Sequence, residues 1–269
     1  MRAWTCVAVA AAMTAVVIAP SAGVTAPEKI SVDAVYEISI AGWGIARASL
    51  DLTLEDGRYE ADLFMQPKGV AKIVTAVRTS VAAAGAVRGD RVLPDRYKVR
   101  ATETDRPVAV DMDLNAGTVT SLRARPPLKQ KPGRVPVTTA HKRGIVDPLS
   151  SGLLPIRSHD GRDACRHTLR IFDGWTRYDV RLSFKRFEDV ATEGYKGQVA
   201  VCGARWVPVS GHRPAKKEVQ YLADNKMLEM SVIALPNAGV AIPYRVSIGT
   251  PNGEILIVPS RMHVSGPGA

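Results

Sequence analysis

The chain has 269 residues and a net charge of +10, from 36 Lys and Arg against 26 Asp and Glu. Apolar residues make up 46% and charged residues 23%, which are ordinary values for a globular protein. This composition excludes a mainly disordered chain, a collagen-like chain and a polytopic membrane protein. The length suits one large β domain or two small ones. We expect a single β domain over residues 27–264 and a disordered tail at 265–269.

Residues 1–26 have the pattern of a secretory signal peptide. Arg2 precedes an apolar run from Ala3 to Ala19, and small residues follow it. An uncleaved membrane anchor is the alternative, but a run of about 17 residues is short for a spanning helix. Cys6 lies before the run, whereas a lipid-modified cysteine would follow it. We therefore predict a periplasmic protein that is cleaved between about residues 20 and 27 and is then not an integral membrane protein.

Two cysteines remain after this segment, Cys165 and Cys202, and they are 37 residues apart. In an oxidising compartment an even number of cysteines indicates a disulfide. Two buried free thiols are the alternative, which export disfavours. We predict that Cys165 and Cys202 are bonded, with Cα atoms within about 7 Å of each other.

Turn signals recur at short intervals between apolar segments. Asp56-Gly57, Gly89-Asp90 and Asp173-Gly174 each separate two such segments, and asparagine-containing turns follow at 115–117, 237–239 and 252–253. Between the turns apolar residues often alternate, which indicates strands with one buried face. So many strands do not fit one open, uncurled sheet. We predict a mainly β fold, a curled antiparallel meander (open barrel or β-spiral) of about a dozen strands with two short helices.

The apolar residues of these strands define the side that the curled sheet should enclose. We expect the following side chains to point to the concave side: Leu50, Leu52, Leu54, Leu63, Val99, Leu114, Val246 and Ile248.

Two segments break the strand pattern. Pro67–Thr79 has apolar residues at helical spacing, although its β-branched content argues against a helix. Residues 147–154 resemble a short helix with Asp147 as its N-cap and Pro148 in its first turn. We expect both helices to plug the concave side, through Val70, Val74, Leu149 and Leu153.

Residues 123–144 form a basic, proline-rich segment with seven Lys and Arg and no acidic residue. We predict a long loop between the two halves of the domain. Arg125, Lys129, Lys131 and Arg134 are candidates for contact with an anionic group. Export, and the absence of aromatic residues between the charges, argue against nucleic acid. A solvated loop with no specific partner is the alternative.

Several segments, in their order along the chain, resemble the DUF3108 family of exported Gram-negative proteins. They are YEISIAGWGIARAS at 36–49, VDPLS at 146–150, FDGWTRY at 172–178 after Cys165, PVSG at 208–211 after Cys202, and PYRV at 243–246. The resemblance covers roughly residues 30–260. The family has no established activity, so the resemblance implies an architecture and a compartment. By looser analogy, exported curled-sheet proteins include lipid and lipoprotein carriers and envelope-integrity factors.

Catalytic and metal-binding motifs do not stand out in this sequence. A metal site could be drawn from His159, Asp163 and His167, but the spacing of these residues meets no ligand rule. Asp147, His141 and Ser150-Ser151 are the best acid, base and nucleophile set, and a helix cap explains them more simply. We expect no catalytic residue, no metal and no cofactor.

The function that we expect is maintenance of the cell envelope by binding, without catalysis. The partner would be a lipid, a glycan or a protein, such as an anionic lipid, lipopolysaccharide or an envelope protein. The alternatives are a hydrolase of an envelope polymer, with Asp147, His141 and the 159–167 cluster, and a ligand-free scaffold. A deep apolar cavity would favour binding, converging histidines or carboxylates would favour an enzyme, and a filled interior would favour a scaffold.

Overall fold

The computed structural model of the protein describes residues 29–69, 71–74, 76–102, 107–129 and 132–267. The predicted signal peptide precedes residue 29 and lies outside these residues. None of the helices in these ranges has the length and apolar character of a membrane span.

One antiparallel sheet of 14 strands makes up most of the described chain, which confirms the predicted curled meander. The strands are β1 (Ile30–Ile40), β2 (Trp43–Glu55), β3 (Arg58–Pro67), β4 (Arg78–Arg88), β5 (Arg91–Thr102), β6 (Val108–Asn115), β7 (Thr118–Arg125), β8 (Leu154–Pro155), β9 (Thr168–Phe172), β10 (Arg177–Thr192), β11 (Tyr195–Ser210), β12 (Leu228–Leu235), β13 (Val240–Thr250) and β14 (Gly253–Ser265). Two α-helices accompany them in the described chain, α1 (Ala71–Val74) and α2 (Lys217–Asp224).

Tight turns join the strands where glycine allows a left-handed backbone. Asp56 and Gly57 have φ of 50° and 71° between β2 and β3, and Ala116 and Gly117 have φ of 47° and 78° between β6 and β7. Positive φ at both central residues is what a two-residue hairpin turn requires. The glycine-containing turns are therefore reliable markers of the hairpins.

The strand order is that of two meanders joined side by side. It runs β7-β6-β5-β4-β3-β2-β1-β14-β13-β12-β11-β10-β9, with β8 added to β13. From β1 in the middle of the sheet, successive strands proceed to one edge at β7; after β8, the strands resume at the other edge, β9. The β1–β14 pair, which runs from Ser31↔Ser265 to Ile40↔Ile255, joins the two halves.

The sheet curls but does not close, and its two edges are linked by the chain between the halves. The Ile145 amide donates to the Gly117 carbonyl beside β7, at 3.0 Å. The Val146 amide donates to Arg170 of β9 at 2.9 Å, and the Phe172 amide donates back to Val146 at 3.0 Å. The Trp175 indole Nε1–H also reaches the Pro126 carbonyl, at 2.7 Å. The backbone carbonyls of Gly117 and Arg170 and the Phe172 amide, which lie at the two edges, are therefore paired.

Alternate residues of the C-terminal strands belong to two different apolar clusters. Val199, Ile233 and Ile242 pack in the main core, inside the curl. Their neighbours Ala200, Val232 and Ala241 pack in a second cluster around the two cysteines. Because successive side chains of a strand point to opposite faces, the second cluster lies on the convex face. The Cys165–Cys202 disulfide is present, with Cα atoms 5.2 Å apart, as predicted.

Three segments differ from the expectation in their bounds. The helix expected over Pro67–Thr79 is one turn, α1, because β3 continues to Pro67 and β4 begins at Arg78. The irregular segment expected from Arg123 begins after Arg125, because β7 pairs with β6 up to that residue. The disordered tail expected at 265–269 overlaps β14, which includes Ser265, and the Pro267 carbonyl accepts the side-chain amide of Asn237 at 2.8 Å, whereas residues 268 and 269 lie outside the described residues.

Removal of the disulfide should lower stability without altering the concave face. We expect Cys165→Ala/Cys202→Ala to lower the free energy of unfolding by roughly 2–4 kcal/mol, because a 37-residue loop is no longer constrained in the unfolded chain. Urea unfolding followed by circular dichroism measures the change. The wild-type protein in a reducing agent is the control and should match the double variant. Equal unfolding midpoints for the oxidised wild type and the variant would contradict the expectation.

Candidate functional site

An apolar cavity of about 360 Å³ lies on the concave side of the sheet. We call it the apolar trough. It is lined by β1, β2, β3, β13, β14 and the turn before β8, through Tyr36, Ile38, Ala48, Leu50, Leu52, Ala61, Leu63, Met65, Pro148, Leu149, Gly152, Leu153, Ile242, Pro243, Tyr244, Val246 and Ile257. Its volume falls in the range of small-molecule sites, roughly 300–1,000 Å³.

Cross-strand pairing explains why these side chains meet in rows. Ile38 pairs with Ile257, which pairs with Val246, so that three apolar residues stand side by side. The next row toward the strand ends is Ile40, Ile255 and Ile248. Directly opposite residues of antiparallel strands share a face, and so do residues two apart along a strand. The two rows therefore form one continuous apolar surface.

The second row opens into a further cavity of about 700 Å³ at the rim of the sheet. We call it the rim cavity. Ile40, Ile248 and Ile255 form one wall, and Tyr221 and Leu222 of α2 lie across from them. The Tyr221 hydroxyl donates to the Gly249 carbonyl at 3.3 Å, and the side-chain amide of Asn225 (Nδ2) donates to the same oxygen at 2.7 Å. These bonds fix α2 over the end of the trough.

A turn, residues 147–153, forms the inner wall of the trough, and its residues Asp147, Ser150 and Leu153 are buried. Asp147 Oδ1 accepts the amides of Leu149 and Ser150, at 3.0 and 2.9 Å, in the capping role that we expect for this residue. The helical part is a single 3₁₀ turn, Ser150–Gly152. The hydroxyls of Ser150 and Tyr59 are 2.6 Å apart and share a hydrogen bond. The turn is thus bonded to the sheet that it covers.

Glycine at position 85 makes room for that bond. A Cβ atom there would lie 2.8 Å from the Tyr59 hydroxyl and 2.3 Å from the Leu93 carbonyl oxygen. Both distances are shorter than van der Waals contact. The position also coincides with a shift of register between β4 and β5. A bulge of this kind bends a strand, which suits a curled sheet.

Asp147 carries the most perturbed carboxyl group near the trough. The residue is fully buried, and its Oδ2 has no hydrogen-bond partner among the described residues. Burial raises the pKa of Asp147 to about 6, although the backbone amides that bind it oppose the shift. The negative charge of Asp147 contributes, after burial, to raising the pKa of the Tyr59 and Tyr97 hydroxyls above their usual range.

The expected concave residues lie inside the curl. Leu50, Leu52, Leu63 and Val246 line the trough, and Ile248 lines the rim cavity. Leu54 and Leu114 are buried in the main core, and Val99 packs against it.

The predicted contact residues are divided among several places. Leu149 and Leu153 line the trough. Val70 and Lys131 lie outside the described residues, as does the side chain of Val74. Arg125 is exposed at the end of β7, and Lys129 lines a small pocket of about 190 Å³. Arg134 lines that pocket and a larger one beside α2.

The residues considered for catalysis are engaged in other bonds. His141 Nδ1 accepts the Thr138 amide at 3.1 Å, and the Ser151 hydroxyl donates to the Pro148 carbonyl at 2.7 Å. Asp163 accepts the Arg157 amide, at 2.6 Å, and His167 Nε2 is 2.7 Å from the Pro155 carbonyl. In the part of the chain that the structure describes, no three His, Cys, Asp or Glu residues are grouped as metal ligands. These contacts stabilise loops.

Sequence reasoning missed α2 and the two tyrosines of the trough. α2 contains the apolar residues Val219, Tyr221 and Leu222, but its eight residues are too few for a clear periodic signal. Tyr36 and Tyr244 belong to strands in which apolar residues alternate with polar ones. Such alternation shows that a residue faces the core, but it does not distinguish a tyrosine that lines a cavity from any other large apolar residue. Their common face becomes visible only when β1 and β13 are placed in one sheet.

Comparisons with known proteins concern family and fold. A family model described as a protein of unknown function, DUF3108, matches residues 35–258. No curated protein matches the chain. One similar solved structure is a crystal structure of a beta-barrel-like protein of domain of unknown function DUF1849 from Brucella abortus. The two chains are 8% identical, with a TM-score of 0.48, over 88% of this chain and 98% of the other.

The raised pKa of Asp147 should make this residue destabilising at neutral pH. Between about pH 4 and 6 the folded protein holds a proton at Asp147 that the unfolded chain has lost. The contribution of Asp147 to the free energy of unfolding is therefore fully present below about pH 4 and is lost as the pH rises through 6. The loss is about 3 kcal/mol, from a shift of about two units.

Asp147→Asn keeps the accepting oxygen but cannot titrate. We expect its free energy of unfolding, relative to wild type, to rise by about 3 kcal/mol between pH 4 and 7. Urea unfolding at four or five pH values measures this difference, in which the other titrating groups cancel. Asp90→Asn in the exposed β4–β5 turn is the matched control. If the free energies of unfolding of wild type and Asp147→Asn changed in parallel with pH, the Asp147 carboxyl would have the same pKa in the folded and the unfolded protein, which contradicts the prediction.

Proposed function

Because the chain belongs to the DUF3108 family, whose function is unknown, we propose a function from its own geometry: it binds the apolar chain of a lipid or lipid-modified molecule in the trough. The observation that carries the proposal is the apolar cavity of about 360 Å³ that the turn 147–153 leaves open inside the sheet. Binding of an apolar ligand in a cavity of this size is favourable, because the apolar surfaces of the ligand and of the trough are both removed from water.

The polar groups near the trough support an apolar ligand over a glycan. The lining includes two hydroxyl groups, those of Tyr36 and Tyr244. The Tyr36 hydroxyl already donates to the Pro243 carbonyl, at 2.7 Å. A sugar buried in this trough would leave its own hydroxyls without partners, which costs roughly 1–3 kcal/mol for each group. An alkyl chain has no such groups.

The shape of the interior supports binding over a scaffold or a hydrolase. A scaffold would gain stability from a filled interior, because empty space forfeits dispersion contacts. The hydrolase alternative needs a base within reach of a nucleophile, but Ser150 bonds to Tyr59 and His141 bonds to Thr138. Catalysis therefore has no support in the described residues.

The compartment that we propose is the periplasm, and the role is in envelope maintenance. The N-terminal signal pattern and the Cys165–Cys202 disulfide support export, since disulfides persist in oxidising compartments. Lipids and lipid-modified proteins that cross this compartment must be shielded from water. A curled sheet with an apolar interior provides that shielding.

The experiment fills the trough with a larger side chain and measures how this substitution changes the binding of a neutral apolar probe. Protein isolated from the periplasmic fraction is delipidated and titrated with N-phenyl-1-naphthylamine, whose fluorescence rises in apolar surroundings. We expect Leu50→Trp to weaken binding about tenfold or more, because the larger side chain occupies the trough. Ser49→Trp is the matched control, because the neighbouring residue of the same strand points to the convex face.

Lipid analysis of the native protein gives an independent result. Mass spectrometry of an organic extract should detect a bound lipid in the wild type and less of it in Leu50→Trp. Equal probe affinity in the Leu50→Trp and Ser49→Trp proteins, together with an extract free of lipid, would contradict the proposal and favour the scaffold.

A further inference from the structure

A polar pocket of about 550 Å³ lies beside the rim cavity. Helix α2 is common to the two, since Glu218 and Leu222 line both. The side chains that matter in the polar pocket are Arg134, Asp173, Trp206, His212, Arg213 and Lys216. The pocket thus has an aromatic wall, several cationic groups and an apolar neighbour.

Backbone pairing holds the basic segment at this pocket. The Val135 amide donates to the His212 carbonyl at 3.0 Å, and the Gly211 amide donates back to Val135 at 2.8 Å. Arg134 Nη1 then donates to the Gly211 carbonyl, at 2.9 Å. Gly211 is required here, because its φ is +80° and a Cβ would lie 2.0 Å from the Trp175 carbonyl oxygen. Arg134 is therefore fixed, although its segment is otherwise irregular.

Two side chains that line this pocket each bury a nitrogen atom that has no partner among the described residues. The two atoms are Arg134 Nε and His212 Nδ1. The Arg134 nitrogen is always a donor, and the His212 nitrogen can be one. Buried polar atoms are nearly always hydrogen-bonded in folded proteins. Both nitrogens belong to side chains that line the pocket, so an acceptor oxygen of a ligand offers them a partner when these side chains turn toward it.

The charges around the pocket favour an anion at its open side. Arg213 and Lys216 are exposed there. Lys216 also precedes α2, whose N-terminus has no side-chain cap, and helix N-termini attract anions. Two carboxyl groups oppose this field. Asp173 Oδ1 is occupied by the amides of Trp175 and Thr176, at 2.8 and 2.6 Å, and Glu218 lies in the first turn of α2.

We propose that this pocket binds an anionic group of the phosphate type, through Arg134, His212, Arg213 and Lys216. Arginine suits such a group, because its planar donors match two oxygens at once. The position of the pocket next to the rim cavity makes the group the head of an amphiphile whose tail enters the trough. This second step rests on the proposed function, whereas the anion site does not.

The test separates the head from the tail. Delipidated protein is titrated with glycerol 3-phosphate, with a lysophosphatidic acid and with the uncharged monoacylglycerol of the same chain, below micelle-forming concentrations. We expect wild type to bind the lysophosphatidic acid about tenfold or more tighter than the monoacylglycerol, as for a charge-assisted hydrogen-bonded contact. Glycerol 3-phosphate should bind measurably on its own.

The variants assign the effect to the pocket. Arg213→Gln/Lys216→Gln removes two exposed charges and should abolish the preference for the phosphate head, while the monoacylglycerol affinity stays unchanged. Arg123→Gln/Arg143→Gln removes the same charge outside the pocket and should retain the preference. Arg134→Gln should abolish the preference too, with its folding checked by thermal unfolding.

Each remaining outcome overturns one part of the inference. Equal binding of the two acylated ligands, with no binding of glycerol 3-phosphate, overturns the anion site and leaves the proposed function standing. Binding of glycerol 3-phosphate alone, lost in Arg213→Gln/Lys216→Gln, leaves a site for soluble phosphate compounds and overturns the amphiphile. Loss of the preference in both double variants shows a general charge effect and overturns the site.

Discussion

An open curled sheet must cover its concave apolar face, and in this protein the chain between its two halves provides the central part of the cover. Most β proteins bury such a face against a second sheet or a layer of helices. Here the segment 145–153 covers the middle of the face, and α2 covers its end at the rim. Ile145 and Val146 bond to both edges of the sheet, and the turn that follows carries Leu149 and Leu153 inward. Edge pairing and core coverage therefore depend on the same few residues.

The cover is held by polar groups, which limits how completely it can fill the interior. Asp147 satisfies two turn amides that would otherwise be buried without partners. The Ser150 hydroxyl bonds to Tyr59 on the sheet. A larger apolar segment would fill more of the interior, but the backbone N–H and C=O groups at its ends would need further hydrogen-bond partners. The trough is the space that remains because the cover is short enough for its backbone groups to be capped. The capping itself has an energetic cost, since the carboxyl group of Asp147 is buried at neutral pH.

Local signals predicted the hairpins because each depends on few residues. Asp56-Gly57 and Gly89-Asp90 provide the backbone geometry of a tight turn wherever they stand, and alternation gives the buried face of the flanking strands. Leu50, Leu52, Leu63 and Val246 could be assigned to the concave side for this reason. The cap at Asp147 was likewise predictable from its own neighbours.

Non-local pairing explains what the sequence did not reveal. The helical spacing of Pro67–Thr79 is mostly overridden, because Ala46–Glu55 pairs with β3 as far as Pro67 and β5 pairs with β4 from Arg78. The union of the trough and the rim cavity depends on the register of β1, β14 and β13, which brings Ile38, Ile257 and Val246 into one row. Register of this kind joins residues more than 200 positions apart, so no local window contains it.

The basic segment shows how the same residues gain meaning from the fold. In the sequence, Arg134 is one of seven basic residues in a stretch without acidic neighbours. Charge of this kind on a freely moving loop has little selectivity, because ordering the loop offsets much of what a contact contributes. Pairing of Val135 with Gly211 and His212, directly after β11, removes that freedom and holds Arg134 in the pocket beside α2. The rigid sheet thus holds the Arg134 guanidinium in one place as a hydrogen-bond donor. That place is next to the end of the apolar surface, where the proposed amphiphile would have its anionic head.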